Sequence, residues 1–304
     1  MSAQSVKAVS GIIVNYKSAQ HVVRCIDSLR SQEGVALEII VVDNNSGDED
    51  LLHLSGISGD NICLIRNPEN FGFARANNIA ASKASGEFLL MINPDAEFCG
   101  TQDLSQLCSW LEAHPEAGLV GPEIYEPEKS KYVKPRMRYP DSDSLRFTPG
   151  IKSLPGDIAW LLGACLLMRR ETFTALGGFD QDYFLYGEDV DLCIRTRKAG
   201  LLVGHCEDSH VRHVGGASAA TIPSIEKFLR KKRGYFLFCN KHYDSRDVRH
   251  IAQGMRISSK IKLLALTIQK MFGFISEAEL LRQQPKWQAE HQVSGEVLQG
   301  ISAS

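Results

Sequence analysis

The chain has 304 residues, 43% hydrophobic and 23% charged, an ordinary globular balance that excludes a disordered or collagen-like protein. A formal net charge of −2 gives no global pull toward nucleic acid or membrane. The charge is uneven, however: residues 220–272 hold twelve Lys and Arg against three acidic residues, so a basic segment follows an acidic body.

In chain order, AVSGIIV (8–14) predicts a buried strand ending at Asn15-Tyr16. Val22, Val23, Ile26 and Leu29 recur at helical spacing, predicting a helix over 18–32 with Ser18 as its N-cap. LEIIVV (37–42) predicts a second strand, ending in Asp43-Asn44-Asn45. Further strands are expected at 62–66 and 87–92, the latter ending in Asn93-Pro94-Asp95, with a helix over 73–84. A helix near 101–113 and a strand near 117–121 follow. Such alternation predicts βαβ units and a mostly parallel sheet covered on both faces. Ligands in open α/β sheets bind outside the carboxyl ends of the strands, and here three such ends carry Asn or Asp.

The second half is less regular. Residues 122–156 read as loops with an extended piece near 131–139, and 158–168 as a strand. Helix 188–198 has Val190, Cys193 and Ile194 on its core face and Gly200 as its stop, and 201–214 reads as one or two strands. Helical patterns dominate from 222 onward. The eight cysteines form no C-x-x-C pair, which argues against a structural zinc site and for a reducing compartment. The N-terminal MSAQSVKAVSGIIVNY has no basic stretch followed by a long apolar run, so the expectation is a cytoplasmic protein.

Several positions carry candidate chemistry. A carboxylate at a strand end, as in Asn93-Pro94-Asp95, suits a hard divalent cation, although the same tripeptide makes a plain turn. Glu188, Asp189 and Asp191 open a helix, where carboxylates are favoured by the free N–H groups alone. The aromatic tract before them, Tyr183 to Tyr186, makes a general-base position reasonable. HCEDSHVRH contributes His205, His210 and His213, any of which could be an ordinary loop histidine. Arg75 could clamp a diphosphate or lie free on the surface.

Taken as an ordered set, these segments resemble the family-two, GT-A-fold glycosyltransferases, notably the bacterial rhamnosyltransferase-like branch. The matching residues are VNYKS (14–18), VVDNNSGD (41–48), NPENFGFARANN (67–78), LLMINPDA (89–96), WLLGACLLMRRETFTALGGFD (160–180), FLYGEDVDLCIRTRKAG (184–200) and HVGGAS (213–218). The resemblance implies inverting transfer of a sugar from a nucleotide diphosphate donor to an acceptor hydroxyl. It implies nucleotide-sugar binding by Asn15, Tyr16, Asp43, Asn44, Arg75 and Asn93. Gly163 and Ala164 would line the sugar and acceptor pocket, and Asp189 would be the catalytic base. Asp95 and His213 would hold Mg²⁺ or Mn²⁺. Asn93 stands where the family's D-x-D motif has its first Asp, removing one negative charge near the cation. The branch suggests a dTDP-rhamnose donor, with UDP-hexoses open, and a glycan or lipid-linked acceptor. A non-catalytic carbohydrate-binding subunit of the same fold is the alternative.

These expectations divide the chain into a catalytic domain, 1–220, with a donor half to about 121 and an acceptor half from 122, and a basic helical extension, 221–304. Within the extension Ile257, Ile261, Leu264, Ile268, Met271 and Ile275 alternate spacings of 4 and 3. That stripe predicts a helix packed on the catalytic domain or on a second copy, with an interfacial helix at the inner face of the cell membrane as the alternative.

Overall fold

The computed structural model describes residues 6–57, 59–215 and 224–300. Of the HVGGAS segment, residues 216–218 therefore lie outside the described residues. In chain order the elements begin with β1 (Lys7–Asn15), α1 (Ala19–Arg30), β2 (Val35–Asp43), α2 (Asp48–Ser55), β3 (Ile62–Arg66) and α3 (Phe73–Ala81). Next come β4 (Phe88–Ile92), β5 (Ala96–Phe98), α4 (Asp103–Ala113), β6 (Ala117–Glu126), β7 (Lys131–Val133) and β8 (Cys165–Arg169). The last are α5 (Arg170–Ala175), α6 (Glu188–Lys198), β9 (Leu202–His213), α7 (Ser224–His242), α8 (Ser245–Met271) and α9 (Glu277–Leu298).

Nine strands form one sheet in the order β3-β2-β1-β4-β8-β6-β9-β5, with β7 paired on β6. The first four are parallel, as their near-continuous apolar runs require. One face of these strands packs on α1 and α4 through Ile13, Val41, Leu90, Ile26 and Leu107, while Ala74 and Ala80 of α3 are fully buried. Glu38 fastens one end of the layer. Its carboxylate accepts from Ser10 Oγ, Ser85 N and Oγ, and Gly86 N, and these bonds outweigh burial to bring its pKa below the usual glutamate value.

Antiparallel pairing enters with β8, which lies between β4 and β6. The apolar run 158–168 is a strand only from Cys165. Its first half makes a single bridge, Arg136 to Trp160, and then turns through Gly163. β6 is longer than expected and runs through Pro122, where its register with β9 shifts, a bulge being one place a strand tolerates proline. α2 has no counterpart in the sequence expectations, because it is eight residues long and buries only Leu54. Ser18 does not cap α1 with its side chain. Its Oγ donates to Asn15 Oδ1, and Asp50 of α2 instead accepts from the backbone N–H groups of Ser18 and Ala19, at 2.9 and 3.2 Å.

The chain forms two compact units. The first contains the sheet and α1 to α6. The second joins Pro140–Ser153 and Leu185–Gly187 to the helices α7, α8 and α9. Within it, Asp247 of α8 accepts from Arg146 N, Phe147 N and Thr148 Oγ, each at 2.8–2.9 Å, which ties the 146–148 segment to the helix.

Candidate functional site

At the carboxyl ends of β1 and β2 two of the expected nucleotide-binding residues, Asn15 and Asp43, bind each other. Asn15 is fully buried; its Nδ2 lies 2.9 Å from Asp43 Oδ1, 3.0 Å from Ser46 Oγ and 3.0 Å from Asp50 Oδ2. Asn44 is buried and saturated. Its Nδ2 donates to Asn70 Oδ1 and Gly72 O, and its Oδ1 accepts from Asn67 Nδ2 and Phe71 N. Every hydrogen-bonding position of that side chain is used by the 67–72 loop. Asn44 therefore shapes the crevice wall and has no capacity left for a ligand. Tyr16 is half-buried at the strand end. Arg75 is exposed at the start of α3, with its guanidinium 3.9 Å from the centre of the Phe71 ring, a stack that leaves its N–H edge open to an anion.

The 67–72 loop also reaches the 179–184 segment, ahead of α6, through the backbone. Gly72 has φ +80°, and a Cβ there would stand 2.5 Å from Phe184 O. The next residue, Phe73, donates its N–H to that oxygen at 2.7 Å. Asn78, one turn on in α3, exchanges two hydrogen bonds with the Phe179 backbone, at 2.7 and 2.9 Å. Asn78 and Asp50 are positioning residues that sequence reasoning missed. Asn78 stood in the NPENFGFARANN segment without a role, and Asp50 lies on the helix that had no periodicity to announce it.

β5 pairs antiparallel with β9 and sets Ala96 opposite His213, so Asp95, one residue earlier, lies beside the imidazole. His213 Nε2 is 3.3 Å from Asp95 Oδ1 and 3.4 Å from Asn93 Nδ2, and both Asp95 and His213 are buried. Among the described residues, His213 Nδ1 is buried without a hydrogen-bond partner. The other two histidines of the segment are elsewhere: His205 beside Glu123, and His210 on the exposed side near Asp103. A carboxylate and an imidazole converging at 3.3 Å suit a divalent cation. Among the described residues no three His, Cys, Asp or Glu side chains are grouped to hold a metal. Asp95 and His213 are the side chains there that could hold such a cation.

Gly163 and Ala164 link this turn to Asp189. The Asn93 N–H donates to Ala164 O at 2.8 Å, and the Gly163 N–H donates to Asp189 Oδ2 at 2.9 Å. Consecutive residues thus hold the Asn93-Pro94-Asp95 turn and the first turn of α6. A Cβ at position 163 would lie 2.9 Å from the Asp189 Cβ, so only glycine allows this approach. Ala164 is fully buried, and it takes part through its carbonyl rather than as a lining side chain. Asp189 Oδ1 accepts from Val190 N at 2.9 Å. Burial pushes the Asp189 pKa above the ordinary aspartate value, against the pull of these backbone N–H groups.

The profile of the family described as "Glycosyl transferase family 2" matches residues 10–177, and that of "Glycosyl transferase family group 2" matches 98–287. The chain belongs to glycosyl transferase family 2. Among its relatives is the N-acetylglucosaminyl-diphospho-decaprenol L-rhamnosyltransferase of Mycobacterium tuberculosis, 26% identical over 260 residues that cover 76% of this chain and 84% of that protein. The rhamnosyltransferase WbbL of Escherichia coli is 28% identical over 201 residues, 57% of this chain and 75% of its own. These relatives place this glycosyltransferase in the rhamnosyltransferase-like branch of family 2. The mannosyltransferase PcManGT from Pyrobaculum calidifontis, solved with GDP-Man and Mn²⁺, superposes with a TM-score of 0.59 at 17% identity, covering 96% of this chain and 87% of that one. That likeness establishes the GT-A fold.

Proposed function

We propose that this family 2 enzyme transfers a sugar, with inversion, from a nucleotide diphosphate donor to a hydroxyl of a glycan or lipid-linked acceptor in bacterial surface polysaccharide synthesis. Rhamnose from dTDP-rhamnose is the favoured donor sugar, because the named relatives are rhamnosyltransferases. The observation that carries the reading is the Gly163-Ala164 link, which joins the turn bearing Asp95 to the carboxylate of Asp189.

In this reading Asp189 takes the proton of the acceptor hydroxyl as its oxygen bonds to the anomeric carbon. The bond from that carbon to the diphosphate breaks in the same displacement, and the sugar inverts. The raised pKa makes Asp189 a better proton acceptor than a solvated aspartate. Arg75 would pair with phosphate oxygens, and Tyr16 would border the nucleotide. Asp95 and His213 would hold Mg²⁺ or Mn²⁺, which when bound offsets charge on the leaving diphosphate.

Turnover of the Asp189→Asn variant tests this directly, with nucleotide diphosphate binding followed in parallel by thermal shift in Mn²⁺. Loss of general-base help lowers kcat by about 10²–10⁴-fold, while the ligand-induced rise in Tm is retained. Ligand at a hundred times its Kd adds about 2.7 kcal/mol of stability. Wild-type turnover from Asp189→Asn would sink the base assignment, and an unchanged ligand shift in excess EDTA would sink the metal assignment. A donor panel of dTDP-rhamnose and UDP-hexoses decides the sugar.

A further inference from the structure

The transfer reaction makes no use of a run of exposed apolar side chains on α8. On α8, Ile257, Ile261, Leu264, Ile268 and Met271 are all between 44% and 71% exposed. At 100° per residue they fall within an arc of ~80°. The opposite side of the helix, marked by Ala252, Ser259 and Leu266, is buried, so the stripe is not the face that packs within the chain. Phe272 and Phe274 prolong it past the helix end and are also exposed. Single apolar side chains on a surface need no explanation, but a continuous stripe does.

The charge around the stripe identifies its occupant. From Val248 to Ser276 the chain carries Arg249, Arg256, Lys260, Lys262 and Lys270 and not one Asp or Glu. Arg249 and Lys260, both exposed, lie within ~80° of the stripe's centre line. Both lie on the same side of it, while Lys270 pairs with Glu277 and Lys262 stacks on Trp287, so the exposed charges along the stripe's border are cations, and such a face complements a surface that is apolar beneath and anionic above. The 4-and-3 spacing is also that of a coiled-coil seam. A second copy seated there, however, would bring cations against cations with no carboxylate in the stretch to pair them.

We propose that this face of α8 docks on an anionic lipid surface, lying in its plane. Among the described residues no helix is long and apolar enough to cross a membrane. The proposal stands apart from the transfer chemistry, because binding to lipid is read without any substrate.

Flotation of the full-length protein with vesicles tests it. The protein floats with phosphatidylcholine–phosphatidylglycerol vesicles and not with phosphatidylcholine alone, and high salt releases it. The Ile261→Glu/Leu264→Glu variant and the Arg249→Glu/Lys260→Glu variant each lower the bound fraction by about tenfold or more. All four positions are exposed, so Tm stays at the wild-type value in both variants. Failure of the wild-type protein to float with anionic vesicles overturns the proposal, as does wild-type binding by both variants. A solution dimer that the Ile261→Glu/Leu264→Glu variant dissociates, without any vesicle binding, would assign the face to a second copy instead.

Discussion

Asp189 illustrates how one side chain is tuned by opposing effects. Burial raises its pKa, and the Gly163 and Val190 N–H groups pull it back. Because the folded-state pKa lies above that of the unfolded chain, the protonated form is the one folding favours. The stability it contributes is present at low pH and is lost as pH rises through the folded pKa. At neutral pH the ionised group therefore costs stability, which offsets the one backbone N–H bond that Asp189→Asn must forfeit at Gly163 or Val190, so the variant melts near wild type even as it loses turnover. The acid limb of the kcat/KM profile should lie above the ordinary aspartate range and vanish in the variant's residual activity. A limb at the pKa of a solvated aspartate would contradict the burial. The residues of this site were legible in the sequence as an ordered set of motifs, but their partners were not. Nothing in the spacing of Asn15, Asp43 and Asn44 showed that the first two would bind each other, or that Asn44 would be spent on the 67–72 loop. That depends on three strand ends and α2 meeting in space.

Among the elements, the 67–72 loop depends heavily on a single residue. Asn44 supplies four hydrogen bonds to it from a buried position, and removal leaves Asn67 and the Phe71 N–H without an acceptor. Asn44→Ala should cost about 2–4 kcal/mol in chemical denaturation, and weaken donor binding more than it slows turnover of bound donor. A stability change within experimental error would show that water replaces the side chain. The strands and long helices were readable because apolar runs and helical periodicity extend over many residues, and α6 begins and ends where its motif predicts, at Glu188 and Lys198. Pairing was less readable. β8 enters antiparallel and begins only at Cys165, after a turn at Gly163 whose N–H is held by Asp189, 26 residues away.

For the molecule as a whole, the helical unit borrows Pro140–Ser153 and Leu185–Gly187 from the middle of the sequence. Asp247 holds part of that borrowed chain. Burial raises its pKa, but the bonds from Arg146, Phe147 and Thr148 more than offset this and leave it lowered. A lowered carboxylate contributes stability that is present above its unfolded pKa and lost as pH falls through the folded one. Asp247→Asn should therefore destabilise by about 1–3 kcal/mol at neutral pH, with the gap from wild type closing in acid. A gap in urea midpoints that is independent of pH would assign the loss to packing instead. Such an insertion cannot be read from composition, because the borrowed segments look like ordinary polar loops.

The two main-chain atoms contributed by residues 163 and 164 have one more consequence. If Asp189 activates the alcohol as proposed, the span from its carboxylate to the Asn93-Pro94-Asp95 turn is measured in peptide units, which amino-acid replacement cannot lengthen or shorten. Such a protein can drift to a new sugar through Tyr16, Arg75 and their neighbours while its chemical reach stays fixed, as a lathe keeps its bed when the tool is changed.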